Sequence, residues 1–401
     1  MSVITAATRR PTIAAFFARS IGRSTLRLKW PARVLLPLIC GLGIIGGLPG
    51  ATAQTLQSSE WPRTDFSRHL VPLDEIRAGG PPRDGIPAID EPRFVDTTEA
   101  IDWLDPDEPV IVVSVGEQTR AYPIQILIWH EIVNDTLGDV PIAVTFCPLC
   151  NASIVFERTL GERVLDFGTT GRLRKSDLVM YDRQSESWWQ QFSGRAIVGE
   201  LAGERLPRVP ARIVSFKDFR TAFPKAQVLS RDTGHRRSYG HNPYRGYDSI
   251  DARPFLFTDP LDPRLPAMER VLSITLGTRP YLYPFSRLRQ EPVINDKIDE
   301  QPVVVLSSPG TYSALDQSRI TQSRKVLSAV AYHRSLDGRT LSFIGTERGF
   351  KDEQTGSIWD LLGRAVAGPL RGSQLQPVAG GVHFAFAWLA FNPDSEIRAG
   401  H

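Results

Sequence analysis

Cys147 and Cys150 flank a Pro-Leu pair and are the only cysteines beyond the first 53 residues of the chain. Two thiols at this spacing can form a reversible disulfide, supply half of a metal site, or close a small structural ring. The first is the chemistry of a thiol-disulfide oxidoreductase and the second that of a metal-binding protein. The third fits a non-catalytic binding or scaffold protein with a structural disulfide.

The energetics of ring closure argue against a purely structural bond. Closing a four-residue ring stabilises the folded chain by only about 2 kcal/mol, against about 4.7 kcal/mol for a ring of about 100 residues. Small rings are also strained, and strain makes a disulfide easier to reduce. The spacing therefore favours a redox pair whose redox partner or small-molecule substrate is unknown, while the metal site and the inert disulfide stay open.

A metal site would need ligands besides the two thiols, because a closed tetrahedral site takes four and no second cysteine pair exists. The ion would be zinc, iron or copper. His130 is the leading extra ligand, since its predicted helix directly precedes the strand that ends at Cys147. In the redox hypothesis His130 would be the proton acceptor or thiolate stabiliser, and it could equally be a half-buried helix residue bonded to a carbonyl. Further candidate ligands are His235, His241, Asp177 and Asp182.

The segments around these residues predict strands more often than helices. Val110–Val115 is rich in β-branched residues, and Ile142–Phe146 leads straight into Cys147. Apolar residues from Ile124 to Val133 repeat at helical spacing and predict a short amphipathic helix. Further predicted strands are Arg120–Pro123, Ile154–Phe156, Val164–Phe167, Leu178–Tyr181, Trp188–Phe192 and Ala196–Val198. The prediction is a strand-dominated α+β fold without regular βαβ alternation.

The strand pattern also limits the length of any helix after the first cysteine. Because the pattern resumes by Ile154, at most one helical turn fits after Cys147, with Pro148 at its first position. Thioredoxin-like proteins instead place the first thiol at the start of a long helix, so that fold is not expected.

The sequence resembles itself at an offset near 161, which predicts two sequence-related β-rich units from an internal duplication. The first unit spans 96–235 and carries the cysteines, and the second spans 271–398 and lacks them. An extended segment, 54–95, precedes them, and a loop-rich connector, 236–270, joins them. Ser308 and Thr311 stand opposite the two cysteines, and Glu291 opposite His130. The matches at this offset include Tyr122-Pro123 with Tyr283-Pro284 and Asn134-Asp135 with Asn295-Asp296. Further on the offset drifts, and Trp189 matches Trp359.

The first 53 residues have the features of a secretory signal peptide. Seven basic residues precede an apolar run from Val34 to Ile45, and Ala51-Thr52-Ala53 comes next, which predicts cleavage after Ala53. We therefore expect a periplasmic or secreted protein with no membrane span after cleavage. Removing this segment turns the formal charge from +3 to −4, because it contains no acidic residue. A mature chain of that charge without a basic stripe does not favour a nucleic-acid partner.

Four motifs occur in the order found in a bacterial protein family: Trp129–Asp135, Thr145–Cys150, Met180–Trp188 and Arg231–Gly234. The chain resembles the domain-of-unknown-function family 3179 over nearly the whole mature sequence. The family has no established activity, but some members are identified as possible selenoproteins, and selenium in place of sulfur would imply redox chemistry. The resemblance thus supports the dithiol hypothesis.

Overall fold

Residues 60–277 and 279–398 are described by the structure, a computed structural model of the chain. The predicted signal peptide, with its cleavage site after Ala53, lies outside these residues. Within the described ranges, no helix has the length and apolar character needed to cross a membrane.

Residues 60–235 contain three short α-helices and sixteen strands. The helices are α1 (Thr97–Ala100), α2 (Ile124–His130) and α3 (Phe216–Ala222). The strands are β1 (Ile76–Ala78), β2 (Phe94–Asp96), β3 (Pro109–Val115), β4 (Gln118–Pro123), β5 (Ile132–Leu137), β6 (Val140–Cys147), β7 (Ala152–Glu157), β8 (Thr159–Leu160), β9 (Arg163–Val164), β10 (Phe167–Arg174), β11 (Asp177–Asp182), β12 (Trp188–Gln190), β13 (Arg195–Val198), β14 (Arg208–Val209), β15 (Ala211–Ser215) and β16 (Gln227–Leu229).

Three main sheets organise this region, with strand orders β15-β3-β4-β16-β2, β14-β7-β6-β5 and β1-β10-β11-β12-β13. Neighbouring strands are antiparallel except for β16 and β4, which are parallel. Val110 and Val112 of β3 pack into one hydrophobic cluster, while Ile111 and Val113 pack into another. Both faces of β3 are therefore buried, which explains why its sequence is continuously apolar.

The region from residue 270 repeats much of this arrangement. Its main sheets have the orders β28-β17-β18-β29, with β18 and β29 parallel, β19-β20-β21 and β24-β25-β26-β27. The elements are β17 (Arg270–Leu276), β18 (Arg279–Pro284), α4 (Phe285–Gln290), β19 (Val293–Ile298), β20 (Gln301–Tyr312), β21 (Lys325–His333), β22 (Ser335–Leu336), β23 (Arg339–Thr340), β24 (Phe343–Thr346), β25 (Gly349–Asp352), β26 (Ile358–Trp359), β27 (Ala365–Ala367), β28 (Gly380–Phe384), α5 (Ala385–Phe391) and β29 (Glu396–Ile397).

Side-chain contacts recur in the two regions as well. The indole N–H of Trp189 donates to Asp182 at 2.9 Å, and that of Trp359 donates to Asp352 at 2.9 Å. Other contacts that occur once in each region are Tyr122 to Asp135 and Tyr283 to Asp296, both at 2.6 Å, and the amide pairings of Asn134 with Phe167 and of Asn295 with Phe343.

The predicted dominance of strands is confirmed, but the predicted helix from Ile124 to Val133 is too long. α2 ends at His130 because Glu131 adopts a left-handed conformation with φ of 59°. Ile132 then begins β5 and pairs with Thr145 of β6. The apolar residues after Glu131 suit a buried strand as well as a helix, so periodicity alone could not separate the two.

His383 lies where the two regions pack together. The residue is 2% exposed. Its ring stacks on that of Trp388 with 5.0 Å between the centroids, and the centroid of the Phe192 ring also lies 5.0 Å away. Burial, with a smaller contribution from the Arg208 charge, lowers the pKa of His383 to about 3. The folded protein therefore holds this imidazole neutral at pH values where the unfolded chain would protonate it.

We expect His383 to make stability fall with acid. The pKa of His383 is lower in the folded state than the unfolded value of 6.5. Its contribution to the free energy of unfolding is therefore complete above pH 6.5 and is lost as the pH falls below 6.5. The free energy of unfolding should drop by about 2 kcal/mol between pH 7 and pH 5 from this side chain. Urea denaturation measures this drop in the free energy of unfolding between pH 7 and pH 5. The drop should be smaller by about 2 kcal/mol in His383→Gln than in the parent protein. It should be the same as in the parent protein in His69→Gln, a control at an exposed position. An unchanged pH dependence in His383→Gln would contradict the assignment.

Candidate functional site

The two cysteines lie on one tight connection between antiparallel strands. β6 ends at Cys147, a single 3-10 turn spans Pro148–Cys150, and β7 begins at Ala152. Pro148 occupies the first position of the turn, where its missing N–H has no partner to lose. Asn151 leaves the turn with φ of 47°, which reverses the chain into β7. The prediction of at most one helical turn after Cys147 is confirmed.

Both cysteines are free thiols and both are buried, with exposures of 1% for Cys147 and 0% for Cys150. Their sulfur atoms lie 3.9 Å and 3.6 Å from the carbonyl oxygen of Ser176. The two predicted site cysteines therefore lie close together in the protein interior, away from bulk solvent.

A second tight turn places Ser176 and Asp177 against the sulfurs. β10 and β11 form a hairpin in which Arg174 pairs with Asp177, so only Lys175 and Ser176 remain in the loop. Both have positive φ, 53° and 68°, as a two-residue hairpin turn of this twist requires. Residues other than glycine and asparagine rarely adopt this conformation. Both loop residues are therefore strained, and one of them, Ser176, has the carbonyl that faces both thiols.

Asp177 completes a group of three potential ligands. One ligand atom each from Cys147, Cys150 and Asp177 lie within 4.8 Å of one another. Oδ2 of Asp177 accepts hydrogen bonds from the side chain of Gln190 at 2.6 Å and from the amide of Phe192 at 2.9 Å. Oδ1 is buried and has no hydrogen bond of ordinary geometry among the described residues, although the carboxyl group interacts with the thiol of Cys150. A buried carboxylate oxygen without a partner is costly, unless a cation or a donor joins it.

Glu131 brings another acid to the same place. Its left-handed conformation ends α2 and turns the carboxyl group toward the thiol side of the sheet. Glu131 is 8% exposed. Burial, with a smaller contribution from the neighbouring Asp177 carboxylate, raises the pKa of Glu131 to about 8. No described residue donates a hydrogen bond to the Glu131 carboxylate.

The electrostatics of the site disfavour negative charge in the absence of a cation. Burial raises the pKa of Cys147, and burial together with the adjacent Cys147 raises that of Cys150 well above its ordinary value. Burial also raises the pKa of Asp177 to about 7. These shifts are opposite to those of an activated cysteine, whose thiolate is stabilised by a helix N-terminus or a basic neighbour.

His130 is engaged elsewhere and is not part of the group formed by the cysteines and Asp177. Its Nδ1 donates to the carbonyl of Pro87 at 2.7 Å, so in the neutral ring Nε2 accepts from the hydroxyl of Tyr239 at 2.7 Å. Thr233 in turn contacts the Tyr239 hydroxyl at 2.5 Å. Burial lowers the pKa of His130 to about 4. The ring thus has the surroundings of a structural histidine that ties the connector to α2.

The other candidate ligands are also separated from the sulfurs. Asp182 accepts from Ser185 and from the Trp189 indole, and the His235 ring lies 5.3 Å from that of His130. His241 pairs with Arg319 in an isolated β-bridge. Of the residues that the sequence suggested as extra ligands, Asp177 alone joins the two thiols in the group of three.

An apolar cavity of about 270 Å³ adjoins this group. We call it the aromatic cavity, because Tyr244, Tyr247 and Phe255 of the connector form one side of it. The other lining residues are Gly79, Pro81, Ile86, Glu131, Leu149, Thr169, Gly171, Arg172, Leu173 and Leu178. Sequence reasoning identified neither Glu131 nor Ser176 as a site residue. For the tyrosines, the aromatic composition of the connector was the one signal, and it is equally consistent with simple packing.

Comparison with known proteins gives a family but no activity. The family model described as "Protein of unknown function (DUF3179)" matches residues 83–395. No curated protein and no solved structure matches the chain significantly.

Proposed function

This chain belongs to the DUF3179 family, and we propose that its buried Cys147, Cys150 and Asp177 bind a divalent metal ion. The observation that carries the proposal is the Asp177 carboxylate, which lies within 4.8 Å of both sulfurs and whose buried Oδ1 has no hydrogen bond of ordinary geometry among the described residues. A metal ion would supply the missing positive partner of this oxygen. It would also replace the thiol protons, because cysteine binds metals as the thiolate.

The donor set indicates which ion fits best. Two sulfurs select a borderline or soft metal, and one carboxylate oxygen is compatible with zinc. Ligand atoms around tetrahedral zinc are separated by roughly 3.3–3.8 Å, given metal–ligand distances of about 2.0–2.3 Å. The three atoms would have to close in by roughly 1 to 1.5 Å at most. Three protein ligands leave one coordination position, as in catalytic zinc sites.

The connection between β6 and β7 makes this site specific to the first region. In the second region β20 runs on to Tyr312 and pairs with β21 past Ser308, so no tight turn interrupts it. We infer that the two regions arose by duplication, which the repeated sheet orders and side-chain contacts support. The metal site would then be an addition to one copy of a scaffold that folds without it. Export through the N-terminal segment remains part of the proposal.

Thiol/disulfide exchange is the second candidate function. Both cysteines are free and their sulfur atoms lie within 4.8 Å of each other, so they could lose two protons and two electrons to a partner disulfide, which would leave as two thiols. Their burial opposes this chemistry, and so do the raised pKa values of both thiols, which disfavour the reactive thiolate. The metal proposal does not meet this obstacle, because the cation itself stabilises both thiolates.

Elemental analysis of protein purified without chelator tests the proposal. We expect about one zinc, or another thiophilic divalent ion, per chain, and less than a tenth of that in Cys147→Ser/Cys150→Ser. The matched control is Ser308→Ala, which changes the equivalent strand of the second region and should keep the full metal content. Circular dichroism should confirm that all three proteins are folded.

Metal-free protein would overturn the proposal if zinc added in excess did not bind to it. Reversible oxidation of both thiols with a measurable reduction potential above about −300 mV would then favour the redox function. Irreducible oxidised cysteines would favour the structural disulfide.

A further inference from the structure

The aromatic cavity has the size of a small-molecule site. Its volume is about 270 Å³, and an apolar cavity of about 150 Å³ is known to hold one benzene molecule. Room therefore remains for one ring and a short chain. Most of the lining is aliphatic or aromatic, including Leu149, which lies between the two cysteines on the 3-10 turn.

The polar end of the cavity is acidic. Glu131 is more than nine-tenths buried, lines the cavity, and receives no hydrogen bond from any described residue. Asp177 is the charged group that acts on it most strongly, and it carries the same sign. A divalent ion held by two thiolates and Asp177 would still leave a net charge of −1, to which an ionised Glu131 adds another. The site therefore attracts a further positive charge with or without the metal.

Arg172 does not supply that charge. It is the one basic residue among the described residues of the lining, but its guanidinium lies 5.5 Å from the ring centroid of Trp188 and interacts electrostatically with Glu60. Trp188 is fully buried, and neither Trp188 nor Glu60 lines the cavity.

The connector gives the cavity three aromatic rings. Tyr244 interacts electrostatically with Glu131 and Cys147, and Tyr247 with both cysteines, so these rings lie close to the acidic end. The Tyr247 hydroxyl accepts a hydrogen bond from the amide of Phe255 at 3.0 Å, which fixes the loop across the cavity. Phe255 itself is 46% exposed. Aromatic faces carry partial negative charge and attract organic cations, especially where water is excluded.

We propose that the aromatic cavity binds a small organic amine, with its ammonium group at Glu131 and its apolar body against Leu149, Tyr244 and Tyr247. This amine site lies next to the metal site proposed above, but amine binding does not require the metal. A neutral molecule of the same shape would leave the Glu131 carboxylate without a cationic partner. An anionic one would meet two carboxylates of like charge.

Three probes of one size and different charge test this inference: benzylamine, benzyl alcohol and benzoate. Isothermal titration of the protein as purified, at pH 8, should show benzylamine binding at least 10-fold more tightly than benzyl alcohol, and no binding of benzoate. Glu131→Gln should weaken benzylamine at least 10-fold and leave benzyl alcohol unchanged. The control Glu117→Gln alters an exposed acid in the turn between β3 and β4 and should change nothing.

The variant Leu173→Trp adds bulk inside the cavity and should weaken benzylamine and benzyl alcohol alike. Equal binding of the three probes, tighter binding of benzoate, or no benzylamine binding at millimolar concentration would overturn the proposal. So would benzylamine binding that is the same in Glu131→Gln and in the parent protein.

Metal content measured on the same samples separates this inference from the previous one. If Glu131→Gln keeps its metal content but binds benzylamine more weakly, both the metal site and the amine site are supported. A metal-free protein that binds benzylamine through Glu131 supports the amine site alone.

Discussion

Replacing Asp177 with asparagine is expected to lower the affinity for zinc by at least about 100-fold, because even groups outside the ligand shell are commonly worth 10-fold to 100-fold. The amide keeps an oxygen for the hydrogen bonds from Gln190 and Phe192, so the fold should persist. The substitution removes the negative charge next to the two sulfur atoms. Competition with a chromogenic chelator measures the affinity, and far-ultraviolet circular dichroism checks the fold.

Asp182→Asn is the matched control for this experiment. Asp182 is equally buried and was the other predicted oxygen donor, but it contacts Ser185 and Trp189 and not the cysteines. Its metal affinity should equal that of the parent protein. Asp177→Asn with undiminished zinc affinity would remove the carboxylate from the site and, with it, the main support for the metal proposal.

Truncating Asp182 should have the second large effect, this time on stability. Asp182 accepts hydrogen bonds from the amide and hydroxyl of Ser185 at 2.6 and 2.8 Å and from the Trp189 indole at 2.9 Å. Asp182→Ala leaves these buried donors unsatisfied, and each such donor costs about 1–3 kcal/mol. We expect a loss of about 3–5 kcal/mol in the free energy of unfolding, measured by urea denaturation.

Asp352 gives a second test of the same physics, since it accepts the equivalent hydrogen bonds from Thr355 and Trp359. Asp352→Ala should therefore destabilise the protein by a similar amount. The exposed Asp102→Ala should change stability by less than about 0.5 kcal/mol. A small effect at Asp182 would mean that water enters the network or that the surrounding groups rearrange.

The sequence was sufficient for the parts of the fold that depend on local patterns. Runs of β-branched and aromatic residues predicted strands such as β3 and β6, and the early return of the strand pattern predicted the short turn after Cys147. The end of α2 could not be predicted, because it depends on a left-handed Glu131 that no glycine or asparagine announces. That one residue also decides that Glu131, and not His130, faces the thiols.

The candidate site was harder to predict because its residues come from distant parts of the chain. The spacing of Cys147 and Cys150 was visible, and Asp177 was one of several conceivable oxygen donors. Its selection over Asp182 depends on the register of β10 and β11, which brings the start of β11 to the sulfurs. The contributions of Tyr244 and Tyr247 depend on how the connector packs, and composition does not determine that.

The order of the site along the chain bears on how the protein is assembled. All lining residues of the aromatic cavity and all three proposed metal ligands fall between residues 79 and 255, ahead of β17. Ribosomes deliver the chain from its N-terminus, and early regions generally fold first. The ligands are thus complete while the second region is still being synthesised. Contacts from the second region, such as Phe391 stacking on Phe192 at 5.1 Å, therefore form after the three proposed ligands have been delivered.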